Sequence, residues 1–119
     1  MMDFSLTEEQ RTLQDTVRRF AEGELIDVAR ECEEKDEPPP LDILKKFANM
    51  GLLGVNIPKD LGGVGMSHMD AVLVLEEVGR ISAAVAFPIF ESCFGPVLAD
   101  AHFEHDELRR RIVPKVCSS

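Results

Sequence analysis

Three groups of residues have types and spacing that could do chemistry. His102 and His105 lie three apart with Glu104 and Asp106 beside them, a spacing that can bring two imidazoles to one metal within a helical turn. No further His or Cys follows at a ligand-like spacing and the segment is polar throughout, so it reads as a solvated face. Gly62-Gly63-Val64-Gly65 supplies half of a dinucleotide fingerprint, in which glycines let the backbone approach a pyrophosphate. The third glycine position is His68, and no Lys-Ser or Lys-Thr follows, so the run reads as a structural turn. Glu76 and Glu77 are adjacent carboxylates. Neighbours on a helix point about 100° apart, so the two cannot share a site and are expected at the surface or a helix end. His68 falls inside a helix-cap sequence and is expected exposed. No Ser/His/Asp or Cys/His set is legible, and no residue is assigned as catalytic.

The aromatic pattern carries more information. Ala83, Phe87, Phe90 and Phe94 fall at i, i+4, i+7 and i+11, one face of a continuous helix. Such a stripe is ordinarily a core face; the alternative is a wall for an apolar ligand tail. Pro88 lacks the donor that would reach the carbonyl of Ala84, so the helix is expected to kink or to start there.

The elements that would position these residues read as helix after helix. Thr7-Glu8-Glu9-Gln10 has capping-box form, and Leu13, Val17, Phe20 and Ala21 make an apolar stripe with Arg18, Arg19, Glu22, Glu24 and Glu31 on the solvated side. This helix should fade near 31–35, where Glu33, Glu34, Asp36 and Glu37 form a charged connector. Pro38-Pro39-Pro40 suits the start of a short helix with Leu41, Leu44 and Phe47 or Ala48 inward, and Gly51 suits its left-handed stop. Residues 56–66 read as a loop. Ser67-His68-Met69-Asp70 is a second capping box before a run apolar on nearly every side, expected central, buried and ended near Gly79. A region over 82–100, interrupted by Pro88 and Gly95-Pro96, and a last helix over 106–113 stopped by Pro114 complete an all-α pattern.

Composition sets the outer limits. The 119 residues suit one domain, with too little chain for two large lobes. Thirteen Lys and Arg against 22 Asp and Glu give a formal charge of −9, which disfavours nucleic acid because counterion release needs cationic side chains. Cys32, Cys93 and Cys117 are odd in number and share no metal spacing, so they read as reduced thiols of a cytoplasmic protein. No apolar run approaches the ~20 residues of a membrane span. The start has no basic region before an apolar stretch and does not read as a signal peptide.

Taken in order, several segments resemble the N-terminal helical domain of the acyl-CoA dehydrogenase family. Phe4-Ser5-Leu6-Thr7-Glu8-Glu9-Gln10 resembles its opening, and Gly51-Leu52-Leu53-Gly54-Val55-Asn56-Ile57-Pro58 with Leu61-Gly62-Gly63-Val64-Gly65 resembles its most recognisable signature. Leu75-Glu76-Glu77-Val78-Gly79 resembles the end of its central helix, and Arg111-Ile112-Val113-Pro114-Lys115-Val116 the exit before its next domain. The resemblance spans residues 3–116 and implies an orthogonal, up-down helical bundle, with 117–119 as a truncated exit towards an absent β domain.

The resemblance also implies a function. These FAD-dependent enzymes oxidise an acyl-CoA thioester to the 2,3-enoyl-CoA; a glutamate base takes the α-proton and the flavin takes the β-hydride. By alignment from Glu76-Glu77, the acyl-slot positions fall at Ala86, Phe87, Phe90 and Phe94. The catalytic glutamate and the main flavin and CoA contacts belong to segments beyond this domain. The chain is therefore expected to be inactive alone, to bind no FAD by itself, and to need the β and C-terminal helical domains or a partner chain. Pro88 in the slot-lining segment departs from the family pattern, and two phenylalanines narrow the slot. Two other readings stand beside this one. One is a stand-alone helical interaction or oligomerisation module, closed as a homo-oligomer; the other is a small acyl carrier using the phenylalanine wall.

Overall fold

A computed structural model describes residues 5–97 and 106–118. The fold is all-α, with no strand among the described residues. His102, Glu104 and His105 lie outside the described residues.

The helices are α1 (Glu8–Phe20), α2 (Ile26–Lys35), α3 (Leu41–Asn49), α4 (His68–Ile81), α5 (Ala83–Cys93) and α6 (Asp106–Cys117). A π-helical turn, Ala21–Leu25, joins α1 to α2, and a 3-10 turn, Lys59–Leu61, lies in the glycine-rich loop. Both capping boxes form. Thr7 Oγ1 accepts from Gln10 N and Gln10 Oε1 from Thr7 N; Ser67 and Asp70 repeat the exchange at α4. Asp36, in the left-handed conformation at φ 53°, ends α2, and Gly51 at φ 77° turns the chain out of α3.

The π-turn has a cause in the spacing of the buried residues. Val17, Ala21 and Leu25 are all buried and four apart, and on a regular helix each step of four drifts about 40° around the axis. A turn with i→i+5 closure absorbs that drift and keeps all three facing the core.

The core lies where α4 meets α1 and α5. Val74 and Val78 of α4, Val85 and Ile89 of α5, and Phe47 of α3 are fully buried. Phe20 meets Phe47 edge to face, ring centroids 6.0 Å apart. Each such burial contributes roughly 1.5–3 kcal/mol. A satellite cluster of Ile57, Leu61, Val113 and Cys117 seats α6 on the 3-10 turn.

Several expectations are corrected. Leu41 points outward at 59% exposure; Phe47 is inward as expected, with Leu44 and Ala48 partly buried against the core, and Ile43 is an inward position the sequence reading did not include. Helix α4 is not buried all round, since Met69 and Val72 are exposed. It also runs past Gly79 to Ile81, because Ser82, extended at its end, is the stop and also caps α5 through Val85 N. Helix α5 begins at Ala83, not at Pro88, and continues through the proline; the missing N–H would reach Ala84, an exposed residue whose carbonyl can turn to water. Pro114 likewise lies inside α6, where the unbonded carbonyl belongs to exposed Arg110.

Candidate functional site

Helix α5 has two distinct faces. Val85, Ala86, Ile89, Ser92 and Cys93 are buried. Phe87 and Phe90 point away from the core at 54% and 43% exposure, and Phe94 is half-buried. Their rings form a ladder: Phe87 to Phe90 is a stacked pair with centroids 5.9 Å apart, and Phe90 to Phe94 follows at 6.4 Å. The stripe read from the sequence is therefore real, but it faces outward and is not the core face. Ala86 is separated from the other three, because it is 4% exposed and packs into the core.

The flank of α5 next to the ladder is concave. Pro88, Glu91 and Ser92 line a cleft of about 490 Å³ completed by Leu44, Leu53, Val97, Lys115 and Val116. Its wall is mostly aliphatic, with one cationic and one anionic side chain.

The carboxylates resolve differently from expectation. Glu77 is buried, not at the surface. Arg18 grips it with two bonds, Nε to Oε2 at 3.0 Å and Nη2 to Oε1 at 2.9 Å, and Arg80 adds a longer contact at 3.4 Å. Arg18 keeps a partly solvated side chain, 41% exposed, and from there supplies the cationic partner a buried carboxylate needs. The Arg18 bonds hold the Glu77 carboxyl below the ordinary carboxylate range, outweighing the opposing effect of burial. A carboxylate so held is a poor proton acceptor; its role is to lock α1 against α4, which sets the orientation of α5. Glu76 is exposed. No group of three or more potential metal ligands exists among the described residues.

His68 is exposed, and its Nδ1 lies 2.8 Å from Asn56 Nδ2. Asn56 also donates to the Cys93 carbonyl at 2.9 Å, so it fastens the end of α5 to the loop. Sequence reasoning passes over Asn56 as a loop residue; its only signal is a polar residue at the end of an apolar run.

The glycine-rich loop does not fit a cofactor phosphate. Its amides are engaged internally: Gly63 N donates to Pro58 O, Val64 N to Gly54 O, Gly65 N to Ile57 O and Met66 N to Val55 O, all between 2.8 and 3.1 Å. A Cβ on Gly63 would lie 2.1 Å from the Ile57 carbonyl oxygen, so glycine is needed for contact with the chain's own backbone.

A family model described as "Acyl-CoA dehydrogenase, N-terminal domain" matches residues 7–119. The chain is 42% identical over 85 residues to an acryloyl-CoA reductase (NADH) of Anaerotignum propionicum, covering 71% of this chain and 21% of that protein. It is 32% identical over 116 residues to an acyl-CoA dehydrogenase of Bacillus subtilis (strain 168), covering 95% of this chain and 30% of that protein. A solved glutaryl-coenzyme A dehydrogenase in complex with glutaryl-CoA superposes with a TM-score of 0.90 at 28% identity, over 98% of this chain and 30% of that one. The chain thus spans less than a third of the length of each of these relatives.

Proposed function

We propose that this chain, which belongs to the acyl-CoA dehydrogenase family as its N-terminal helical domain, supplies one wall of an acyl slot and a docking surface to a flavoenzyme that oxidises an acyl-CoA thioester at its α,β bond. The observation that carries the reading is the Phe87–Phe90–Phe94 ladder, one stacked and one tilted pair, with Phe87 and Phe90 open on the face of α5 that the core does not use. An apolar wall of that kind excludes water from a reacting C–H bond and holds an acyl tail in one orientation. Ala86 supports the wall from behind.

The family is FAD-dependent; the amides of the glycine-rich loop are engaged internally, and in this reading the flavin and the catalytic base belong to parts outside this domain. The domain's own contribution is position and dryness. Among the described residues no helix is long and apolar enough to cross a membrane, and three free thiols suit the reducing cytoplasm.

Two experiments test this. The purified 119-residue chain should be colourless and should reduce no dye with acyl-CoA; a yellow protein with dye-reducing activity would overturn the assignment. Replacing the matched segment of the Bacillus subtilis relative by this chain should restore acyl-CoA-dependent dye reduction, and Phe90→Ala in that chimera should raise KM for the acyl-CoA. An unchanged KM would remove the ladder from the slot.

A second reading has one observation in its favour. Phe87, Phe90, Met69 and Val72 are each exposed, and a helical interaction module closed as a homo-oligomer would cover apolar surface of this kind. Light scattering separates the two: a stable closed oligomer of the 119 residues supports the module, and a monomer rules it out.

A further inference from the structure

Two of the three cysteines converge although nothing in their spacing announces it. Cys93 is the last residue of α5 and Cys117 the last of α6. Their thiols meet consecutive carbonyls of one turn: Cys93 Sγ donates to Leu52 O at 3.5 Å, and Cys117 Sγ to Leu53 O at 3.8 Å. The seat for Cys117 depends on Gly54, since a Cβ there would lie 2.7 Å from its sulfur. Cys32 is on α2, in a different part of the molecule, where it lines the groove beside Pro38.

We propose that Cys93 and Cys117 are an oxidative modification site, at which a peroxide joins the ends of α5 and α6 through an intramolecular disulfide. Both residues close a helix; Asn56 fastens the end of α5 through the Cys93 carbonyl, so the last turn of α6 is the one that opens, as helix ends fray. Cys117 is 7% exposed and Cys93 0%, so Cys117 meets the oxidant first. Its thiolate attacks a peroxide oxygen, the O–O bond breaks, and a sulfenic acid and water result. The Cys93 sulfur then attacks the Cys117 sulfur, the S–O bond breaks, and the hydroxide leaves with the Cys93 proton as a second water. In total two thiols and one hydrogen peroxide give one disulfide and two waters, with two electrons passing to the peroxide.

Burial pushes both thiols up, and Cys93 adds to the effect at Cys117. The resting protein therefore holds them protonated, and cross-linking proceeds when the last turn of α6 opens.

The 119-residue chain is incubated with hydrogen peroxide in native buffer, then alkylated with N-ethylmaleimide in denaturant and digested. The expected product is about 2 Da lighter before alkylation, carries one maleimide on Cys32, and yields a joined Cys93–Cys117 peptide. The same joined peptide should form in Cys32→Ser and vanish in Cys117→Ser. Three maleimides, a pairing that includes Cys32, a dimer linked through Cys117, or sulfinic Cys117 beside alkylated Cys93 would each overturn the proposal. Peroxide added to the denatured chain should give mixed pairings; an equal mixture from the native chain would also overturn it.

Discussion

Gln10 and Asp70, the third residues of two helix caps sixty positions apart, are bonded to each other: the Gln10 side-chain amide donates to Asp70 Oδ1 at 3.2 Å. Each residue also closes its own capping box, so the starts of α1 and α4 are tied by the groups that cap them. The two caps should therefore not be independent. Asp70→Ala is expected to cost about 1–2 kcal/mol and Gln10→Ala about 0.5–1.5 kcal/mol. The double variant should cost less than the sum by about 0.5 kcal/mol or more. Urea unfolding of the four proteins measures this; strict additivity would show that the bond contributes nothing.

Acid should act through the same α1–α4 contact. The Asp70 carboxyl is buried, which raises it, but bonds from Ser67 and Gln10 outweigh burial and leave it below its ordinary value. Glu77 is lowered mainly by Arg18. In both cases the unfolded chain takes up protons first as pH falls. Their stabilisation is therefore fully present above the ordinary carboxylate values of about 4 and is lost as pH falls through the lower folded values. Glu77→Gln should cost about 1–3 kcal/mol at pH 7 and flatten the acid limb of the stability curve. Thermal unfolding between pH 7 and pH 3 reads both; an acid limb of unchanged slope would count against Glu77 as the titrating group.

Glycines 63 and 79 should respond to alanine in opposite directions. Gly63→Ala places a carbon against the Ile57 carbonyl and is expected to cost more than about 3 kcal/mol. Gly79 lies inside α4, and a Cβ there would meet nothing within 4 Å, so Gly79→Ala should gain about 0.5–1 kcal/mol. Melting temperatures of the two variants decide it, and a loss at Gly79 would contradict the open space.

The two faces of α5 should separate in stability. Ile89→Ala is expected to cost about 2–5 kcal/mol because it opens a cavity in the core. Phe87→Ala, on the open face, should cost within about 1 kcal/mol. A comparable loss at both positions, measured by denaturant unfolding, would mean that the ladder is structural rather than a surface held for a ligand or another domain.

What can be read from sequence follows local rules. Both capping boxes are legible because Thr7/Gln10 and Ser67/Asp70 satisfy backbone donors within one turn, and the glycine loop is legible because Gly62 and Gly65 need positive φ. The stripe of phenylalanines is legible as a stripe. Its direction is not, because Phe87 and Ile89 are equally apolar and only the packing of α4 decides which of them is covered. Glu77 escapes sequence reading for the same reason: its partner Arg18 is 59 positions away. Pro114 misleads because a proline costs one helical bond, and the cost is small where the bereft carbonyl is exposed. The meeting of Cys93 and Cys117 depends wholly on tertiary structure.

The π-turn at Ala21–Leu25 makes the first long helix unusual in one respect: its residue count is negotiable. A wide turn is an ordinary helix carrying one extra residue, and both flanks keep their phase around it. Removing Gly23, where a Cβ would meet nothing, should convert the turn to regular helix while Val17 and Cys32 still face inward. Removing Asp15, in the regular part, should rotate everything beyond it by about 100° and turn the buried stripe to water. Melting the two deletion variants side by side should show the first folded and the second not.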